Sequence, residues 1–175
     1  MLAGIVSTMA LVAPVSAVSA AHSEIVGSVP LQTLSRFAFR DQQRAAGDPL
    51  EGNPIWIADI EGMIRRDFQA VGKTEAATPD VYVAFYVKVG TPYNMNIDYT
   101  MPRADGDTAR TERVRDPSTI PYKATTVIID LVDARTNQLV WRGYDSDTFS
   151  ARDPDKTLDA AVHNVMTRLE KDFRR

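Results

Sequence analysis

Apolar and polar residues alternate along this chain with two distinct periods, and each change of period marks an element. From Asp80 to Val89, the residues Val81, Val83, Phe85, Val87 and Val89 share one parity, and Tyr82, Ala84, Tyr86 and Lys88 share the other. A two-residue period predicts a strand, because strand side chains alternate between faces. Gly90-Thr91-Pro92 interrupts it. Tyr93, Met95, Ile97, Tyr99 and Met101 then alternate with Asn94, Asn96, Asp98 and Thr100, which predicts a second strand with one wet face. Thr125 to Tyr144 predicts a hairpin: Val127, Ile129 and Leu131 share one parity, and so do Leu139 and Trp141. Between these runs the Asp133 side chain can bond its own backbone and Asn137 tolerates a left-handed conformation, so the connection reads as a tight loop. Arg36-Phe37-Ala38-Phe39-Arg40 is a shorter strand candidate.

Elsewhere the period lengthens to three and four. Asn53-Pro54 suits a helix start, with Asn as cap and Pro in the first turn. Ile57, Ile60, Ile64, Phe68 and Val71 then fall on one helical face, and Gly72 suits a C-terminal cap. Asp153-Pro154 repeats the cap-plus-proline start. Leu158, Ala161, Val162, Val165, Met166, Leu169 and Phe173 stripe the last helix, and Arg168, Lys171, Arg174 and Arg175 crowd its C-terminal end, where cations suit the helix dipole. Pro102 to Pro121 carries Arg103, Asp105, Asp107, Arg110, Glu112, Arg113, Arg115 and Asp116, and is expected to be a solvated, mobile loop. The order strand, helix, four strands, helix predicts an α+β two-layer sandwich. Its antiparallel sheet would have about four to five strands, with two helices on one face.

Ahead of this pattern lies an uncharged apolar stretch. From Met1 to Ala21 there is no charged side chain, Pro14 interrupts the apolar run, and the small residues around Ala20 and Ala21 fit a cleavage junction. Residues 1–20 are therefore expected to be a cleaved secretory signal, residues 21–34 an N-terminal extension and residues 35–175 a single domain. No Lys or Arg precedes the apolar run, so either the amino-terminal charge suffices or the true start lies upstream. A retained membrane anchor is the poorer alternative, because Ser7, Thr8, Pro14, Ser16 and Ser19 make a weak spanning helix.

Composition narrows the chemistry. Apolar residues at 44% and charged residues at 25% are ordinary for a globular chain. A net charge of −3 argues against a nucleic-acid partner. There is no cysteine, which removes disulfides, thiolate metal sites, cysteine nucleophiles and a lipidated anchor. The two histidines, His22 and His163, are isolated, and His163 reads as a polar rim residue beside Asp159 and Glu170. Asp145, Asp147, Asp153 and Asp155 form the densest acidic group, but a calcium loop counted from Asp145 fails at Ser150 and Lys156. Asp153 suits a helix cap, and Asp145 and Asp147 suit charges that discourage edge pairing. Asp67 falls at the edge of an apolar helical face and suits a rim salt bridge. Asp130 sits opposite in parity to its apolar neighbours, facing water or the far side of the sheet. No cofactor or metal is implied, and no phosphate loop, nucleophile elbow or zinc helix occurs. Trp141 reads as core, with Gly143 marking a bulge or the close approach of another backbone. Arg142 and Tyr144, with Tyr82, Tyr86 and Val140, are the candidates for a surface binding face.

The run from Ile129-Asp130-Leu131-Val132-Asp133 through Trp141-Arg142-Gly143 resembles the domain of unknown function 4136 family, small secreted or lipid-anchored proteins of the bacterial envelope. Phe37-Ala38-Phe39, Ile60 to Gly72, Pro79-Asp80-Val81-Tyr82-Val83 and Asp153-Pro154 extend the likeness over about Ser35 to Phe173. The resemblance implies a similar two-layer fold and an envelope location, and no activity. Two departures stand out. The lipidated cysteine is absent, and the mixed-charge stretch from Arg103 to Asp116 replaces an aromatic- and glycine-rich one.

Three functions follow in order of expectation. The first is a non-catalytic periplasmic domain, soluble after cleavage, that binds an envelope protein or glycan through its open sheet face or an edge strand. The second is a carrier for a small apolar ligand in a cavity lined by Phe85, Ile64, Trp141 and Met166. The third is a hydrolase using carboxylates such as Asp67 or Asp130.

Overall fold

The computed structural model describes residues 21–27, 29–40, 42, 44, 48–89, 93–95, 100–102, 111–113, 120–122, 125–146 and 154–175. The expected signal, including Ala20, lies outside them, as do Asp147, Asp153 and most of the charged residues between Arg103 and Asp116. The elements run β1 (His22–Ile25), a single 3-10 turn at Leu31–Thr33, β2 (Arg36–Phe39), α1 (Pro54–Ala70), β3 (Thr74–Glu75), β4 (Val81–Val89), β5 (Tyr93–Met95), β6 (Thr100–Pro102), β7 (Thr111–Arg113), β8 (Ile120–Tyr122), β9 (Thr125–Asp133), β10 (Leu139–Asp145) and α2 (Pro154–Phe173). The main sheet has six strands in the order β1-β10-β9-β4-β2-β3.

The two helices and a sheet fit the α+β expectation, but the sheet is mixed rather than antiparallel. Strand β2 pairs in parallel with both β4 and β3. The reason lies in the connection: α1 stands between β2 and β4, and a strand that returns through a helix comes back in the same direction. The same logic orients the helices. β10 runs parallel to β4 because β9 pairs antiparallel with both, so α1 and α2 run side by side in the same sense. The sheet exceeds the expected count because His22–Ile25 pairs along β10 and Thr74–Glu75 along β2. Leu31 and Leu34 are buried as well. Residues 21–34 are thus part of the domain rather than an extension.

The expected strand from Tyr93 to Met101 and the expected loop from Pro102 to Pro121 are also redrawn. Tyr93–Met95 pairs with Ile120–Tyr122, and Thr100–Pro102 pairs with Thr111–Arg113. These pairings nest inside the β4–β9 ladder, which ends at Val89↔Thr125. Alternation from Tyr93 to Met101 marks strands but does not say which sheet they join, and here β5–β8 and β6–β7 form two-stranded sheets outside the main one.

Local sequence accounts for the helix and turn geometry. The Asn53 side chain accepts from Trp56 N (3.2 Å), and Pro54 fills the first turn. At the other end Lys73 N donates to Phe68 O and Gly72 N to Gln69 O, the pair of hydrogen bonds of a Schellman cap, with Gly72 at φ 77°. In the hairpin, Asp133 Oδ1 accepts from Arg135 N, Thr136 N and Thr136 Oγ1, and Asn137 has φ 56°. Asp80 fastens the start of β4 to that of β2: its carboxylate takes Arg36 Nη2 (2.7 Å), Arg36 N (2.9 Å), Ser35 N (3.0 Å) and Ser35 Oγ (3.2 Å).

The helix-facing core joins Phe37, Val83, Phe85, Ile129, Leu131 and Trp141 to Ile60, Ile64, Phe68, Val162, Val165 and Leu169. Phe37 and Phe68 stack at 4.5 Å. A β-bulge between Leu139 and Trp141 alters the parity inferred for β10. Leu139 pairs with Val132 on the far face, whereas Val140 joins Trp141 in the helix-facing core. Trp141 covers Gly143 so closely that a Cβ there would lie 2.2 Å from Trp141 Cη2 and 2.7 Å from Val165 Cγ1. Asp145 is fully buried and accepts from Asn164 Nδ2 (2.8 Å). It staples β10 to α2 rather than guarding an edge, since β1 flanks β10.

Two stability predictions follow. Gly143→Ala should cost about 1–3 kcal/mol by urea denaturation, because the buried indole has nowhere to move. The Arg36 guanidinium above all, then the backbone and hydroxyl donors of Ser35 and Arg36, holds the Asp80 carboxyl well below its ordinary value of 3.8. A depressed acid stabilises the fold above its unfolded pKa and loses that contribution as pH falls through the folded one. Asp80→Asn should therefore cost about 1 kcal/mol at pH 7, a value reduced for partial exposure. The gap from the parent should narrow as urea midpoints are taken progressively below pH 3.8.

Candidate functional site

The face of the sheet away from the helices carries the residues expected to form a binding surface. Ala84, Ile128, Asp130, Val132 and Arg142 are fully buried there, and Tyr86 is nearly so. Arg142 and Tyr86 are therefore interior residues. Arg142 makes a bidentate pair with Asp130, Nε to Oδ1 at 2.7 Å and Nη2 to Oδ2 at 2.6 Å, both side chains at 0% exposure. Register explains the meeting: Arg142 lies directly opposite Asp130, which lies opposite the small Ala84. Tyr82 and Tyr144 are half-buried. The Arg40 guanidinium sits 3.5 Å above the Tyr82 ring, and the Tyr144 ring stacks on His22 at 5.3 Å. Burial, with the Glu24 charge as a smaller cause, raises the Tyr144 hydroxyl pKa. The open tyrosine-and-arginine face is not present.

The carboxylates named for hydrolysis are not brought together. Asp67 lies on α1, with Oδ2 3.7 Å from His163 Nδ1 and Oδ1 3.0 Å from Arg66 Nε, so Asp67 and His163 form the rim contact between the two helices. Asp130 lies beyond the sheet, neutralised by Arg142. Among the described residues, no group of three or more His, Asp or Glu could hold a metal ion, and no helix is long and apolar enough to cross a membrane.

Asp172 is the polar residue that the sequence pattern passed over. It is buried, and its Oδ2 accepts from Ser23 Oγ (2.5 Å) and Trp141 Nε1 (3.1 Å). Arg168 Nε lies 3.6 Å from the same oxygen, and Arg175 Nη1 lies 3.2 Å from Oδ1 without hydrogen-bond geometry. The signal was present, because Asp172 follows Leu169 and Val165 at helical steps along the apolar stripe.

Among the described residues, clefts open at two places on the helix layer. One, of about 210 Å³, lies between the C-terminal halves of the helices, with Ala70, Val71, Met166, Leu169 and Phe173 below and Asp67, His163, Thr167 and Glu170 around it. The other, of about 450 Å³, lies where both helices begin, lined by Asn53, Ile55, Trp56, Asp59, Leu158 and Asp159. Of the four residues expected to line a carrier cavity, Phe85, Ile64 and Trp141 border neither cleft, and Met166 borders the smaller.

The family model of the domain of unknown function DUF4136 matches residues 23–169. The chain belongs to the DUF4136 family. Its fold is similar to that of a DUF4136 family protein from Bacteroides thetaiotaomicron VPI-5482, with a TM-score of 0.54 and 15% identity over 87% of this chain and 96% of that one. Weaker likenesses connect this DUF4136 chain to a PDZ domain protein from Parabacteroides distasonis ATCC 8503 (TM-score 0.47, 13% identity, 89% of this chain and 35% of that one). They also connect it to a PelC dodecamer from Paraburkholderia phytofirmans (TM-score 0.44, 10% identity, 87% and 96%). No curated protein matches the chain significantly. At 15% identity the Bacteroides structure speaks for the fold alone.

The Asp130–Arg142 pair has a distinctive expected behaviour. Arg142→Met should cost about 3–5 kcal/mol, because it removes the cation paired with a buried carboxylate, whereas Asp130→Leu combined with Arg142→Met should recover most of that loss. Urea midpoints of the two single variants and the double variant check it.

Proposed function

We propose that this DUF4136 chain is a non-catalytic binding domain of the bacterial envelope, exported to the periplasm by its apolar leader. There it docks another envelope component on its helix layer. Support for export comes from residues 1–20, whose uncharged apolar run ends in small residues. Support for docking comes from one observation above the rest. In the larger cleft Ile55 is 70% exposed beside the half-buried Trp56. A large aliphatic side chain held out at a concave site beside an aromatic is the arrangement that a partner's buried anchor fills.

Placing a photo-crosslinking residue at position 55 in the native host tests this directly. A discrete adduct at 55 is expected, with none at the exposed hairpin residue Arg135, and the protein should be recovered in the osmotic-shock fluid. Equal adduct patterns at the two positions would overturn the docking site, and a full-length chain in the membrane pellet would overturn the soluble periplasmic location.

A further inference from the structure

The acids of the helix layer fall into two groups. Among the described side chains, Glu61 pairs with Arg65, Asp67 with Arg66 and His163, Glu170 with Arg174, and Asp172 with Arg168 and Arg175. Asp59 and Asp159 are exposed, and neither pairs with a cation among the described residues. Both border the same cleft.

Their meeting is built into the topology. α1 and α2 run in the same sense, each opens with a proline, and each carries its aspartate five residues later: Pro54 then Asp59, Pro154 then Asp159. Helices that run in the same sense bring both positions to the wall of one cleft. Both helix starts contribute a partial positive charge that favours ionised carboxylates, but that field fades beyond the first turn and does not neutralise them. The same cleft is lined by the apolar Ile55, Trp56 and Leu158, with Asn53.

From this juxtaposition we infer that the cleft takes a basic polypeptide segment of a partner protein. An aliphatic or aromatic side chain of that segment enters beside Ile55, and flanking Lys or Arg residues reach Asp59 and Asp159. The inference rests on the docking function proposed above and adds the chemistry of the occupant. Two carboxylates with no cation partner among the described residues disfavour an anionic lipid surface and an acidic peptide, and they attract a cation over a distance set by ionic strength. The apolar wall selects a segment with an apolar side chain over a purely basic one.

Fluorescence offers a clean test, since the chain has two tryptophans and Trp141 is fully buried, leaving Trp56 as the reporter. The purified protein is titrated with a short peptide alternating arginine and leucine. The comparison ligands are an arginine–serine peptide, a glutamate–leucine peptide and phosphatidylglycerol vesicles. Saturable change with the arginine–leucine peptide alone is expected, weakening as salt is raised. The Asp59→Asn/Asp159→Asn double variant should bind it roughly three- to thirtyfold more weakly, the range for two exposed charge contacts. A Glu61→Gln/Glu170→Gln variant, which loses the same formal charge elsewhere, should change affinity less than twofold. Equal loss in both variants, equal binding of all peptides, or a response to vesicles in place of peptide would each overturn the inference. If position 55 crosslinks to a partner while the peptide fails to bind, the docking function stands and the basic occupant falls.

Discussion

One carboxylate holds three parts of this molecule in register. Asp172 takes the indole N–H of Trp141 and the hydroxyl of Ser23, and thereby ties the end of α2 to β10 and to the edge strand β1. The bond to Trp141 fixes the indole across Gly143, and that allows α2 to approach the sheet at Val165. An acid near a helix C-terminus works against the helix dipole, and the flanking Arg168 and Arg175 offset that cost. Strand β1 is held to β10 by its ladder, but it buries little side-chain surface, with Ile25 half exposed, so the Ser23–Asp172 bond is what fastens it to the helix layer.

Beyond that anchor the protein has two interiors of different character. The helix-facing side is apolar throughout its centre. The far side mixes Ala84, Ile128 and Val132 with the Asp130–Arg142 pair. A buried ion pair contributes little net stability compared with apolar residues of the same size, but its breakage is costly, so it enforces one strand alignment over its neighbours. A slip of β10 against β9 by one residue would separate the charges and leave both without solvent.

The legible parts of the fold were those written in local pattern. The alternation of Val81 to Val89, the Asn53-Pro54 cap, Gly72 and the Asp133–Asn137 turn all state their structure within a few residues. The unread parts needed information from far along the chain. The bulge after Leu139 shifts one residue relative to β9, and nothing in Leu139-Val140-Trp141 announces it. Arg142 looks like a surface residue until its partner twelve positions earlier is placed opposite it. The alternation from Tyr93 to Met101 is legible, but it does not say that its segments pair with Ile120–Tyr122 and Thr111–Arg113 in place of joining the main sheet. The cleft with Asp59 and Asp159 was missed because it arises from two helices a hundred residues apart being parallel. Parallel helices follow from strand directions, and local alternation does not say whether neighbouring strands run parallel or antiparallel.

The nested pairing of the middle strands bears on how the sheet can assemble. Pro102 meets Thr111, Thr100 meets Arg113, Met95 meets Ile120, Tyr93 meets Tyr122 and Val89 meets Thr125, before the ladder runs on to Val81 and Asp133. Each pairing shortens the loop that the next must close. The central ladder of the sheet therefore need not wait for a diffusive encounter between distant segments. It can zip inward from the tip of the ribbon, converting a long-range contact into a series of local ones and lowering the entropic barrier that topology alone would impose.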